Sequence, residues 1–383
     1  MLFKDILGQE HIKSHLTKSA ELGRIAHAQL FVGPEGAGTL PMAIGYAQYL
    51  LCGNTGGENV GENSTCNLKF DHLSHPDLHF VFPVATTDSV KSHAISDNFM
   101  VEFRQFIVEN PYGSLFDWLK NLGIQNKQGL IGVDEATEIN KKLSLKAYEG
   151  GYKVMIIWMA DKMNGSSANK LLKLLEEPPA KTVFILITES TGDLLQTILS
   201  RCQIIDFHAL SDSVISNALV SRENCDATLA KTIAHQSEGN YNKALHILRE
   251  ETNEYPFDEW FVEWVRSAFR AKGNAAAIND LIAWSENIAS TGRETQKQFL
   301  HYCIHFFRQA LLLNYQAHDL VFLETKVPKF ELAKFAPFVN GSNINEIYKE
   351  LSDALYHIER NGNSKIILTD LSIKLTRLIH KTV

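Results

Sequence analysis

The residues with the clearest chemical spacing lie near the N-terminus. Gly33-Pro-Glu-Gly-Ala-Gly-Thr-Leu40 follows the apolar run Gln29-Leu-Phe-Val32 and precedes the helix-like Met42-Ala-Ile-Gly-Tyr-Ala-Gln-Tyr-Leu50. Glycines such as Gly33, Gly36 and Gly38 suit a phosphate-binding loop, because bare backbone N–H groups must approach the phosphate oxygens. A working loop, G-x-x-x-x-G-K-[ST], also needs a lysine to balance the phosphate charge and a hydroxyl to hold magnesium. Here Thr39 and Leu40 stand in those two places. The expectation is a degenerate P-loop that binds no nucleotide or other cofactor.

The magnesium-binding and water-activating carboxylates of such a site sit as Asp-Glu at the end of an apolar strand. Two runs compete for that role. Leu130-Ile-Gly-Val-Asp134-Glu135 has the acids, whereas Val154-Met-Ile-Ile-Trp158-Met159-Ala-Asp161 lacks them at the strand end.

These residues require a scaffold, and the pattern supplies one. From Ile6 to about Phe207 short apolar runs alternate with amphipathic stretches, which predicts an α/β domain around a mainly parallel sheet. Its buried strands are expected at Gln29–Val32, Leu130–Val133, Val154–Met159 and Val183–Thr188, with a further strand at Ile204-Ile205. Short helices follow, over Asp212–Val220, Ala227–Ser237 and Ala244–Leu248. Beyond Pro256 large apolar residues recur at helical spacing, as in Phe257, Trp260, Phe261 and Trp264 on one helix face. The reading is three domains: α/β over 1–208, a helical lid over 209–253 and an all-α domain over 254–383.

Length and composition agree. A chain of 383 residues exceeds one core, and 45% apolar with 21% charged residues is an ordinary globular balance. The net charge of -7 opposes a protein that grips nucleic acid over most of its surface. Cys52, Cys66, Cys202, Cys225 and Cys303 are odd in number and scattered, which predicts free thiols in a reducing interior and not a disulfide framework. No leader-like or membrane-spanning run is seen, so the cytoplasm is expected and a membrane is not. Gly53 to Ser64, rich in Gly and Asn, reads as a flexible loop.

Asn169-Lys-Leu-Leu-Lys-Leu-Leu-Glu-Glu-Pro-Pro179 closely resembles the helix and turn after the second nucleotide motif of bacterial clamp-loader AAA+ subunits. Gly8-Gln9, Ile25-Ala-His-Ala28, His75-Pro-Asp77 and Leu199-Ser-Arg-Cys202 extend the resemblance over most of the first domain. The chain looks most like the delta-prime type, as opposed to the motor subunits gamma and tau. Aligning the Glu-Glu-Pro-Pro turns places Trp158 and Met159 where motor subunits have Asp-Glu, which makes Asp134-Glu135 a decoy. In the lid the family's Gly-x-x-Arg-x-Ala reads Gly239-Asn-Tyr-Asn242-Lys-Ala244, so a phosphate-directed arginine is replaced by Asn242.

The resemblance implies one remaining catalytic role. Ser200-Arg201-Cys202 matches the Ser-Arg-Cys element that offers an arginine in trans to ATP on a neighbouring subunit, a task suited to a planar, permanently charged guanidinium. Thr188 takes the place of a nucleotide-sensing polar residue and is expected to cap or pack. Implied partners are gamma/tau and delta clamp-loader subunits, with the sliding clamp and primer–template DNA reached through the assembled complex; the isolated chain is expected to be a monomer within a DNA polymerase III holoenzyme, without ATPase or polymerase activity of its own. Family members carry a four-cysteine zinc module, of which Cys52 and Cys66 remain. His72, His75 and His79 could complete a Cys2His2 set, but no metal is expected. Rival readings are an ATP-hydrolysing motor subunit or a P-loop nucleotide kinase, both of which need the lysine, and a nucleic-acid scaffold, which the acidic balance opposes.

Overall fold

The apolar runs of the first half form one five-stranded sheet: β1 (Ala28–Val32), β2 (Leu78–Val81), β3 (Lys153–Ile157), β4 (Thr182–Thr188) and β5 (Gln203–Asp206). Every pairing is parallel and the order is β2-β3-β4-β1-β5. This computed structural model describes residues 2–52, 65–124, 127–149, 151–249, 256–321, 323 and 327–381. The chain divides into two compact units, Met1–Ile124 with Gly129–Glu250, and Gln125–Gln128 with Glu251–Val383. The expected limit between sheet domain and lid, at 208, falls inside the first unit.

The strands read as unbroken apolar runs because both faces are covered. Along β4, Val183, Ile185 and Ile187 join a core with Ile44, Tyr46, Phe103 and Trp118 on one face. Phe184 and Leu186 point the other way, onto Ile139, Leu143, Leu171 and Leu175. That second layer includes the helix Gly165–Glu176, which starts where Asn164 accepts from the Ser167 N–H and stops before Pro178-Pro179.

Two expectations are corrected. Leu130–Val133 is not a strand: Leu130 and Ile131 make isolated bridges to Val84 and Met163, and the helix Val133–Ser144 begins at once behind Gly132. Asp134 and Glu135 therefore lie in a first helical turn, where carboxylates favour the exposed N–H ends. Cys52 and Cys66 are not free thiols, because they form a disulfide across a sequence separation of 14. Cys202, Cys225 and Cys303 are free. Of the histidines weighed as metal ligands, His75 faces Glu149 at 3.2 Å and its Nδ1 accepts from the Asp77 N–H. The loop expected over 53–64 lies outside the described residues.

The helices Asp212–Glu223, Ala227–Gln236 and Tyr241–Leu248 close a small core around Ile215, Leu219, Ile233 and Leu245, which Leu7 and Tyr112 join from the sheet portion. In the second unit every described regular element is helical. Its core is aromatic: Trp264 stacks on Trp284 with centroids 5.0 Å apart, and Phe261 on Phe306 at 3.9 Å. The face predicted from Phe257, Trp260, Phe261 and Trp264 is buried there. Among the described residues no helix is long and apolar enough to cross a membrane.

Candidate functional site

Parallel strands deliver their carboxyl ends to one edge of a sheet, which is where such folds bind ligands. Gly33–Gly38 leaves β1 at that edge, Trp158 and Met159 follow β3, and Thr188 ends β4. The structure thus brings together Gly33, Gly36, Gly38, Thr39, Leu40, Trp158, Met159 and Thr188 around one cavity.

What lines it is mostly packing. Leu40 is 3% exposed and belongs to the core behind the loop. Trp158 lies 5.7 Å from Phe103 and 6.1 Å from Phe106, ring to ring, so its indole is part of an aromatic cluster at the end of β3. Met159 adopts φ 55°, in the left-handed region. Thr188 donates to Ser190 O at 2.8 Å and sits 2.9 Å from Asp161 Oδ1, which makes it a strand-end cap. The space left is about 30 Å³, room for about two waters and roughly a tenth of a small ligand pocket.

The lid completes the closure with side chains. Glu35, in the loop itself, accepts from Asn240 Nδ2 at 3.1 Å and from Asn242 Nδ2 at 3.4 Å. Asn242, 1% exposed, also donates to Asp117 Oδ2 at 2.7 Å and accepts from Asn110 Nδ2 at 2.8 Å. Its amide is fully used, with no charge to direct at a phosphate. His246 Nε2 lies 3.2 Å from Asp117. Burial raises the Glu35 carboxyl above its ordinary range; Asn240 works against the rise and Asp117 adds to it. Burial also disfavours the charge on Asp117, but His246 and Ser114 prevail and hold that carboxyl at about 2.

The loop glycines serve this contact. At Gly36, φ 72°, an added Cβ would meet Asn240 Oδ1 at 2.0 Å and the Tyr241 N at 2.7 Å. At Gly38, φ 93°, it would meet the Tyr112 ring at 3.1 Å. Tyr112 in turn packs edge-on to Tyr241 and accepts from the Leu7 N–H.

Arg201, Ser200 and Cys202 do not line this cavity. They follow the short helix Gln196–Leu199 and precede β5. Arg201 is one-third exposed, pairs with Glu176, and donates to Thr197 O at 2.8 Å and Ser200 Oγ at 3.3 Å. Burial pushes the Cys202 thiol up to about 11, so it is no reactive thiolate. Glu135, the decoy acid, is 1% exposed and accepts from the Ser96 N–H at 2.7 Å. Sequence reasoning did not single out Glu35, Asp117, Asn240 or His246; a carboxylate inside a glycine-rich phosphate loop was the one available signal.

The family model described as "DNA polymerase III, delta subunit" matches residues 8–211, more than half of the chain. The chain is 28% identical over 379 residues to the DNA polymerase III subunit delta' of Escherichia coli, covering 96% of this chain and 94% of that protein. It is 29% identical over 241 residues to delta' of Bacillus subtilis, covering 63% and 59% respectively. The matches thus span 59% of the B. subtilis relative and 55% of delta' from Haemophilus influenzae. Subunit tau of B. subtilis is 28% identical over 251 residues, 64% of this chain and 37% of that one. Among solved structures, the RuvB Holliday junction branch migration motor of Thermotoga maritima aligns with TM-score 0.38 and 14% identity over 65% of this chain and 63% of that one. The chain belongs to the DNA polymerase III delta-subunit family, and within it to the delta-prime type.

Proposed function

We propose that this chain is the non-hydrolysing, structural subunit of a clamp loader, and that it serves ATP bound by a neighbour through Arg201. One observation carries the reading. Leu40 and Trp158 are packed and Asn242 is hydrogen-bonded at three of the positions that would handle the chain's own phosphate, and Thr39 offers no charge, around a space of about 30 Å³, while Arg201 keeps a third of its surface in water. A guanidinium held only by an exposed carboxylate, a hydroxyl and a carbonyl can exchange those partners at little cost.

The neighbours are gamma/tau-type and delta subunits, and clamp and primer–template DNA are met by the complex as a whole. Coupling of ATP turnover to clamp loading then needs this chain as a rigid stator with one projecting cation. The test is Arg201→Ala in the complete complex. Because the side chain is partly exposed, folding and assembly are expected to be unchanged, while turnover at one ATP site falls by a factor on the order of 10³ or more. Equal turnover by mutant and wild-type complexes sinks the arginine assignment; stoichiometric ATP hydrolysis by the isolated chain sinks the non-hydrolysing one.

A further inference from the structure

The second unit holds a cavity of about 300 Å³ that nothing in the nucleotide reading uses. It is lined by the C-terminal part of the helix Phe257–Arg270, by residues 329–338 and by Ile379. That volume enters the range of ligand-sized pockets, roughly 300–1,000 Å³. Its floor is apolar, with Val265, Phe335 and Ile379 buried. At the mouth Phe269 and Phe338 meet edge to face at 5.1 Å and remain 46% and 38% exposed. Large rings left in water beside an apolar cavity mark an interaction site.

Charge indicates what fits. Arg266, Arg270, Lys329 and Lys334 ring the cavity, and Glu331 is its one lining carboxylate. Glu331 is paired with Lys334 at 2.7 Å, and Arg270 with Asp280 at 3.4 Å. Arg266 donates to the carbonyls of Pro328 and Lys329 and lies 5.9 Å over the Phe330 ring, with no carboxylate partner among the described residues. The Lys329 ammonium makes no ion pair or hydrogen bond among the described residues. Two cations without counter-charge among the described residues thus flank an apolar hole, on a chain whose net charge is -7.

We propose that this cavity docks an acidic peptide segment of a partner protein, seating one large apolar side chain in the hole and the neighbouring carboxylates on Arg266 and Lys329. Apolar anchors held in pockets and framed by complementary charge are the usual source of such binding. A nucleic acid strand fits less well, because base stacking needs free ring faces. One face of Phe269 is already covered by His380, stacked at 4.8 Å. The proposal is independent of the assignment of Arg201.

The test uses the full chain and a fluorescein-labelled peptide, Asp-Asp-Trp-Asp-Asp, read by anisotropy at low salt. Saturable binding is expected. It should weaken about tenfold or more in the Arg266→Glu, Lys329→Glu double variant, and equally when the peptide tryptophan is replaced by alanine. Phe338→Ala should weaken it without altering salt dependence. These side chains are exposed, so wild-type thermal unfolding of each variant is the control. Peptide binding that survives the double charge reversal overturns the proposal. So does tighter binding of an oligothymidylate lost in the same variant, or a doubled mass in light scattering that the variant abolishes, since the face would then serve nucleic acid or a second copy of the chain.

Discussion

Asp117 anchors the helix Tyr241–Leu248, whose Asn242 also reaches Glu35 in the glycine loop, and its removal can be costed. Its carboxylate accepts from the Ser114 N–H at 2.9 Å, the Ser114 hydroxyl at 2.7 Å and Asn242 Nδ2 at 2.7 Å, and faces His246. Against its burial, His246 and Ser114 lower the carboxyl from an ordinary 3.8 to about 2. At about 1.36 kcal/mol per pKa unit, the ionised form contributes roughly 2 kcal/mol to the folded state. A depressed carboxyl gives its full contribution above the ordinary value, and the contribution is lost as pH falls through the folded one. Asp117→Asn keeps the shape and the helix cap but removes the charge. It is expected to cost roughly 2 kcal/mol in urea unfolding at pH 7, with the gap narrowing below pH 4. Because the charge bridges to Asn242 and His246, the amides of Tyr241–Leu248 should exchange with deuterium about thirtyfold faster, ahead of the sheet. Wild-type exchange in that helix, or an equal loss of protection across β1 and β4, would refute the latch.

Glu135 has the opposite sign. Burial raises its carboxyl from 4.5 to about 6, so the stability it contributes is complete below pH 4.5 and is lost as pH rises through 6. Glu135→Gln is therefore expected to match wild type at pH 4.5 and to exceed it by roughly 2 kcal/mol at pH 7.5 in denaturant titrations, with no change in any ATPase. Gly36→Ala and Gly23→Ala share a positive φ, but only the first would strike the lid, since nothing lies within 4 Å of a Cβ at Gly23. The first should cost about 2–3 kcal/mol and the second about 1, measured as urea midpoints; equal costs would mean that Gly36 does not touch the lid.

How far the sequence could be read depended on sequence distance. The loop between β1 and its helix was legible because strand, glycines and helix are contiguous, and the missing lysine and hydroxyl are visible at Thr39 and Leu40. The helix Gly165–Glu176 and the turn at Pro178-Pro179 carried an equally local signal. Leu130–Val133 misled because a short apolar run suits a strand or the lead-in to a helix, and Gly132 with the acids behind it favoured the latter. Leu78–Val81 was passed over as a strand. The contact between Glu35 and Asn242 spans 207 positions and rests on no periodicity. The pairing of Cys52 with Cys66 was hidden by counting five thiols together when only two share a place in space.

A nucleotide-binding loop ordinarily gains its order by mass action, with a stabilisation that grows as the logarithm of ligand concentration. The amide and carboxylate bridge from Glu35 to Asn240 and Asn242 has no such dependence. Loop and lid are cross-braced by the chain itself, so their mutual posture does not need a ligand to set it. If the chain is the stator proposed above, an assembly whose other members change shape with the nucleotide they hold thereby acquires one member that reports nothing about supply. That makes it a fixed reference against which the others can move.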